Sequence, residues 1–202
     1  RARRRESFIS IISAFSLVGI MLGVATLIIV MAVMNGFRVE LLDRILGLNG
    51  HSLVYGVEDG GLKDYDDIAE RVRAAEGVTR VAPIVEGQVL ASANDRQSGA
   101  LVRGVRGSDL ATFKVVSDNV RLGDLASVES ETGIAVGLRL AQLLGVSVGN
   151  SITLMSPEGA RTPFGVTPRV KAYPVVAIFE IGMSEYDASY VFMPLEEAQL
   201  YF

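Results

Sequence analysis

The chain has no cysteine and a single histidine, and only six prolines, three of them between positions 157 and 168. Without cysteine there is no disulfide, no thiol chemistry and no thiol for lipid attachment. Many extracytoplasmic domains also do without it, so that absence leaves the compartment open. The one histidine, His51, stands at a helix-to-strand junction with no ligand pattern around it. It reads as a solvent-exposed or locally bonded residue, not a catalytic or metal-bound one. No G-x-x-x-x-G-K-[ST] run occurs, which excludes ATP binding through a P-loop. The glycine-rich stretch 145–150 lacks the strand–turn–helix order that cradles phosphate and reads as a turn into a strand. Glu180, Glu185 and Asp187 gather near one turn without EF-hand spacing or a carboxylate pair, and read as a solvated acidic loop. No cofactor is implied, and nothing here points to an enzyme.

Charge is the next thing missing. Residues 7–37 contain no Asp, Glu, Lys or Arg and are largely apolar. A helix of that length measures about 46 Å, against about 30 Å of hydrocarbon. The run exceeds the 7–15 apolar residues of a signal peptide and ends in bulky Val33, Met34 and Phe37, so it reads as a retained transmembrane helix. Arg1, Arg3, Arg4 and Arg5 precede it, opposed only by Glu6, whereas Arg38, Glu40, Asp43 and Arg44 nearly cancel beyond it. The positive-inside rule then puts residues 1–6 in the cytoplasm and everything after the helix across the membrane. The whole chain carries −4. Setting the arginine cluster aside makes the remainder more acidic still, which argues against nucleic acid as a partner.

Along the helix, Ser13, Ser16, Gly19, Gly23 and Thr26 form a stripe of small residues. Gly19 and Gly23 make a G-x-x-x-G pair that allows another helix to approach closely. Val39, Leu42, Ile45 and Leu46 continue an apolar face, Glu40 and Arg44 make an i,i+4 pair, and the spacing predicts a stop near Gly47 as a left-handed cap. The expected organisation is 1–6 cytoplasmic, 7–46 transmembrane with an extension beyond the bilayer, and 51–202 as one mixed α/β domain with room for two lobes. The fold class is α+β. About 150 residues support a full core. The domain shows no internal repeat.

Predicted elements are a short strand at 52–55, then a helix with Tyr65, Ile68, Ala69, Val72 and Ala75 on one face, Asp64 as N-cap and Gly77 as C-terminal cap. Strands follow at 79–93 and 100–105, joined by a hairpin over 94–99. The segment 106–132 resists prediction. A strand at 133–136, a helix at 138–144, strands at 151–155, 170–179 and 189–193, and a helix from about Leu195 complete the set. Both ends of the chain look cut, as in the front part of a longer membrane protein whose domain is C-terminally incomplete.

Between 151–155 and 170–179 lie Ser156, Pro157, Glu158, Gly159, Ala160, Arg161, Thr162, Pro163, Phe164, Gly165, Val166, Thr167, Pro168 and Arg169. Three prolines and two glycines predict a protruding connection and not a central strand. It is longer than a usual hairpin loop of 2–5 residues, and long structured loops are often functional. Phe164 and Val166 offer apolar groups on a proline-stiffened tip, which lowers the entropy lost when a partner binds.

Four further segments are distinctive: Val33-Met34-Asn35-Gly36-Phe37 with Glu40-Leu41, then Ile45-Leu46-Gly47-Leu48, then Val81-Ala82-Pro83-Ile84, and Leu144-Gly145-Val146 before Gly149. In these the chain resembles the LolC/LolE family of lipoprotein-releasing transporter permeases, including the LolF form. The resemblance implies a MacB-like periplasmic domain on an inner-membrane permease with four membrane helices. It also implies a second permease subunit, a LolD ATPase dimer that hydrolyses ATP, and transfer of lipoproteins to the soluble carrier LolA. In LolC a hairpin with a T-P-x-G-x-x-P pattern recruits the carrier, and Thr162-Pro163-Phe164-Gly165-Val166-Thr167-Pro168 matches every constant position of it. By position, Val33, Met34 and Phe37 would border the cavity for the lipoprotein's acyl chains. Two other readings compete: a MacB- or FtsX-type permease with different cargo, and a membrane-anchored sensor, which would need an output module on the arginine side.

Overall fold

The computed structural model describes residues 2–56, 61–130, 132–162 and 165–202, with 2–11, 43, 158–162, 165 and 166 taken at backbone level. The chain divides into two compact units, Arg1–Leu46 and Gly47–Phe202.

The first unit is nearly all of helix α1 (Ala2–Asn49), whose 48 residues span about 72 Å. Between positions 12 and 40 every side chain is exposed, on all sides of the helix. The stretch Ile12–Asn49 has a window of mean hydropathy 2.8, long and apolar enough to cross a membrane. A helix apolar all round needs an apolar surrounding.

The helix does not end at Gly47. It runs on to Asn49, and Gly50 takes the left-handed conformation with φ +66°. Gly47 has a different task. A Cβ there would lie 2.3 Å from Cγ2 of Val115, so a bare backbone is needed where this turn meets the domain.

The second unit is built on one seven-stranded sheet. In chain order its strands are β1 (Val85–Ala93), β2 (Arg96–Val105), β3 (Val120–Gly123), β4 (Ile134–Gly137), β5 (Ser151–Thr162), β6 (Gly165–Phe179) and β7 (Tyr190–Pro194). The order is β3-β6-β4-β7-β2-β1-β5, and β5 also bonds to β6, so the sheet closes on itself like a barrel. The helices are α2 (Tyr65–Arg73), α3 (Gly107–Leu110), α4 (Lys114–Ser117), α5 (Ala126–Ser130), α6 (Leu138–Leu144), α7 (Ser184–Ser189) and α8 (Leu195–Tyr201).

Strand periodicity divides the core between the two sheet faces. Ile134, Val136, Val191 and Met193 join Leu140, Leu144, Ile152, Leu154 and Tyr173 in one cluster. Their neighbours Ala135 and Phe192 face the other way, with Leu48, Leu110, Phe113, Val116 and Phe179. Strands β4 and β7 are thus buried on both faces, which explains their uninterrupted apolar sequences.

Several expectations need correction. Residues 52–55 make no strand; they are exposed and outside any ladder. The first sheet strand begins at Val85, not at 79. The hairpin β1–β2 turns on Asn94 and Asp95 alone, with φ of 50° and 59°, so 96–99 are strand residues. Asp64 does precede α2, but in a left-handed conformation with no side-chain cap bond, and α2 ends at Arg73, well before Gly77. Asp187 is no solvated loop residue. It is buried in α7, and its carboxylate accepts the backbone N–H groups of Ile181 and Gly182 at 2.7 and 3.1 Å.

Candidate functional site

The predicted 14-residue loop is for the most part strand. Strands β5 and β6 pair in register from Ser151↔Pro174 to Ser156↔Arg169, then resume at Ala160↔Thr167 and continue to Thr162↔Gly165. Between the two ladders, Pro157, Glu158 and Gly159 stand opposite Pro168 alone. That bulge is why prolines are tolerated here: they fall where no ladder bond is needed. Strand β1 pairs with β5 at 153–155, so past Met155 the described residues of β5 and β6 have only each other as ladder partners and form a ribbon. Thr162, Gly165, Val166 and Thr167 lie in its end ladder, and Pro168 in the bulge; Pro163 and Phe164 lie outside the described residues.

Arg169 sits at the ribbon's root, where its guanidinium donates to the Leu200 carbonyl of α8. The hydroxyl of Tyr201, on the same helix, lies 2.7 Å from the Leu154 carbonyl and 3.0 Å from that of Arg169. Glu197 accepts from the Lys171 ammonium and, at 2.7 Å, from the Tyr173 hydroxyl. Burial pushes the Glu197 carboxyl up, but the bonds from Lys171 and Tyr173 outweigh it and hold the group below its ordinary value. Burial and the same carboxylate push the Tyr173 hydroxyl strongly up. The ribbon therefore springs from a root pinned on both strands by α8.

On α1, Ser16, Gly19, Gly23, Val33, Met34 and Phe37 fall within an arc of about 100° at 3.6 residues per turn. The small-residue stripe and the three bulky residues thus share one helical face. Nothing lies within 4 Å of a Cβ built at Gly19 or Gly23, and Val33, Met34 and Phe37 are each more than 60% exposed. Thr26 is committed elsewhere, its hydroxyl donating to the Leu22 carbonyl at 2.8 Å. His51 is exposed, and among the described residues no cluster of His, Asp and Glu could hold a metal ion.

One residue that sequence reasoning missed is Arg103, only 4% exposed. It pairs with Glu86, its cross-strand partner, and donates to the Leu48 carbonyl at 2.8 Å and to Oδ1 of Asn49 at 2.9 Å. A lone arginine inside the otherwise apolar β2 run Ala100-Leu101-Val102-Arg103-Gly104-Val105 was the available signal.

Residues 13–202 match the family model described as the MacB-like periplasmic core domain. The chain belongs to that family. It is similar over 98% of its length to the lipoprotein-releasing system transmembrane protein LolC of Xylella fastidiosa, at 33% identity, and over 99% to LolC of Neisseria meningitidis, also at 33%. LolE of Haemophilus influenzae aligns with the whole chain at 26% identity. The chain spans about half the length of these curated relatives, 48–49%. It is thus a permease-type domain related to the LolC/LolE family of ABC permeases, with an apolar helix long enough to span a membrane ahead of it.

Proposed function

We propose that this chain is part of a permease subunit that extracts lipoproteins from the bacterial inner membrane and passes them to a LolA-like periplasmic carrier. The ribbon carries the reading: its end bears the Thr162–Pro168 pattern, on a sequence one-third identical to proteins named for lipoprotein release. In this reading the N-terminus is cytoplasmic and the domain periplasmic. Ser16, Gly19 and Gly23 receive a helix of a second permease subunit, and a LolD-like ATPase dimer supplies the energy. Val33, Met34 and Phe37, on the same face as the small stripe, border the path of the acyl chains, where Met and Phe give adaptable apolar contact.

Phe164 and Val166 would enter the carrier's own lipid cavity. Burying two such side chains contributes roughly 3–6 kcal/mol before ordering costs. The test is carrier binding by the full permease complex, wild type against the double variant Phe164→Ala, Pro168→Ala. Binding should be lost with the melting temperature unchanged, because the ribbon's end carries little of the core. Equal binding would favour the second reading, a MacB-type permease with another cargo, which the family model's own description keeps in view.

A further inference from the structure

The carbonyl end of α1 carries no cation of its own, since its last turn holds no basic residue. Its final residues, Gly47, Leu48 and Asn49, are counted with the domain's compact unit, and the domain supplies the missing charges. Arg80 donates to the Gly47 carbonyl at 3.1 Å and to the Thr112 carbonyl at 3.1 Å, while its guanidinium stacks 4.6 Å from the Phe113 ring. Arg103 donates to the Leu48 carbonyl and the Asn49 side chain, and its Nε donates to Glu86. Its flat face rests 5.1 Å from the Tyr190 ring. Asn49 in turn donates to the Tyr186 hydroxyl at 3.0 Å. Leu48 itself is 3% exposed, packed in the core cluster with Phe113 and Phe192.

A buried arginine is a poor device for stability alone, because desolvation offsets most of what its ion pair gains. What it provides is geometry: a planar fork held by four partners on three elements, α1, β1 and β7. Arg103 sits on β2, which bonds to β1 on one side and β7 on the other, in the middle of the closed sheet. The covalent route out of the helix makes no ladder bond at its start. Gly50 bends it, and 51–55 are exposed and unpaired with any strand.

We propose that Arg103, with Arg80, Asn49 and Tyr186, is the clamp through which movement of the membrane helix reaches the domain. This rests on the permease reading, in which nucleotide-driven motion must cross from the membrane to the periplasmic side. Arg103 acts as a positioning residue; it touches no cargo.

The experiment is hydrogen exchange on the full-length permease, reconstituted with its ATPase subunit in lipid nanodiscs, with and without a non-hydrolysable ATP analogue. The variants are Arg103→Lys, which keeps the charge but loses the fork, and the milder Asn49→Ala and Tyr186→Phe, which leave the buried ion pair with Glu86 in place. In the variants, the amides of 47–50 should exchange on the order of tenfold faster. Those of Ile134–Gly137 should not change, and the response of β2 and β7 to nucleotide should disappear. Unchanged protection at 47–50, or faster exchange there with the nucleotide response intact, would overturn the clamp. Lipoprotein release to the carrier is measured in parallel. If the wild-type complex responds to nucleotide but releases no lipoprotein, the cargo assignment fails while the clamp stands.

Discussion

At the scale of single residues, the end of α1 separates two uses of glycine. Gly47 is needed for close approach, because a Cβ would collide with Val115. Gly50 is needed for its φ of +66°, and space is not the issue, since nothing lies within 4 Å of a Cβ there. The two therefore respond differently to the same change. Gly50→Ala should cost about 1–2 kcal/mol, the left-handed penalty for an L residue, whatever its neighbours. Gly47→Ala should cost more than Gly50→Ala, and Val115→Ala should relieve much of it by removing the colliding Cγ2 methyl. Denaturant unfolding of the two glycine variants, each with and without Val115→Ala, tests this; if Val115→Ala rescues both equally, the distinction is wrong. The same end shows an economy repeated elsewhere. Helix α6 also lacks a basic residue in its last turn, and Asn94 and Arg96 from the β1–β2 hairpin donate to its terminal carbonyls at Leu143, Leu144 and Gly145.

At the scale of elements, the ribbon is only as steady as its root, and that root is partly electrostatic. Glu197 has its folded pKa lowered, so its bonds to Lys171 and Tyr173 add stability above the unfolded value of about 4.3. That contribution is lost as pH falls through the lower, folded value. Glu197→Gln should thus destabilise the domain at pH 7, and the difference from wild type should shrink as the medium is acidified below about pH 4. A difference that stayed constant across that window would deny the carboxylate this role. The elements also show what a sequence reveals and what it hides. Helix α6 and strands β4 and β7 were legible because burial on one or both faces imposes a pattern. The ribbon was not, because its prolines looked incompatible with strands; the bulge that accommodates Pro157 and Pro168 is a matter of register between two strands. Residues 52–55 have the composition of a strand yet no partner in the ladder, and pairing is not a local property. Helix α7 was hidden by its acidic residues, one of which, Asp187, is buried because two backbone amides await it. Arg103 shows in the sequence as a charge inside an apolar strand, but its partners Leu48 and Asn49 lie 55 and 54 residues away and are set by tertiary packing.

At the scale of the whole molecule, orientation decides whether the ribbon can meet a periplasmic carrier at all. The uncharged run 7–37 is longer than the roughly 20 residues a bilayer requires, so length does not choose a direction. Charge does. Arg1, Arg3, Arg4 and Arg5 face one flank, whereas Arg38 and Arg44 on the other are balanced by Glu40 and Asp43, and Arg44 donates to Glu40 at 2.8 Å. Only lysine and arginine near the helix ends weigh strongly in the rule, and four against two favours a cytoplasmic N-terminus. A reporter active only in the periplasm, fused after Phe202, should therefore be active, and one active only in the cytoplasm should be silent. Changing the four N-terminal arginines to glutamine should reduce the periplasmic signal, with activity appearing in the cytoplasmic fusion. A cytoplasmic signal from the unaltered chain would invert the topology, place the ribbon beyond reach of any periplasmic carrier, and remove the docking role of Thr162–Arg169 together with it.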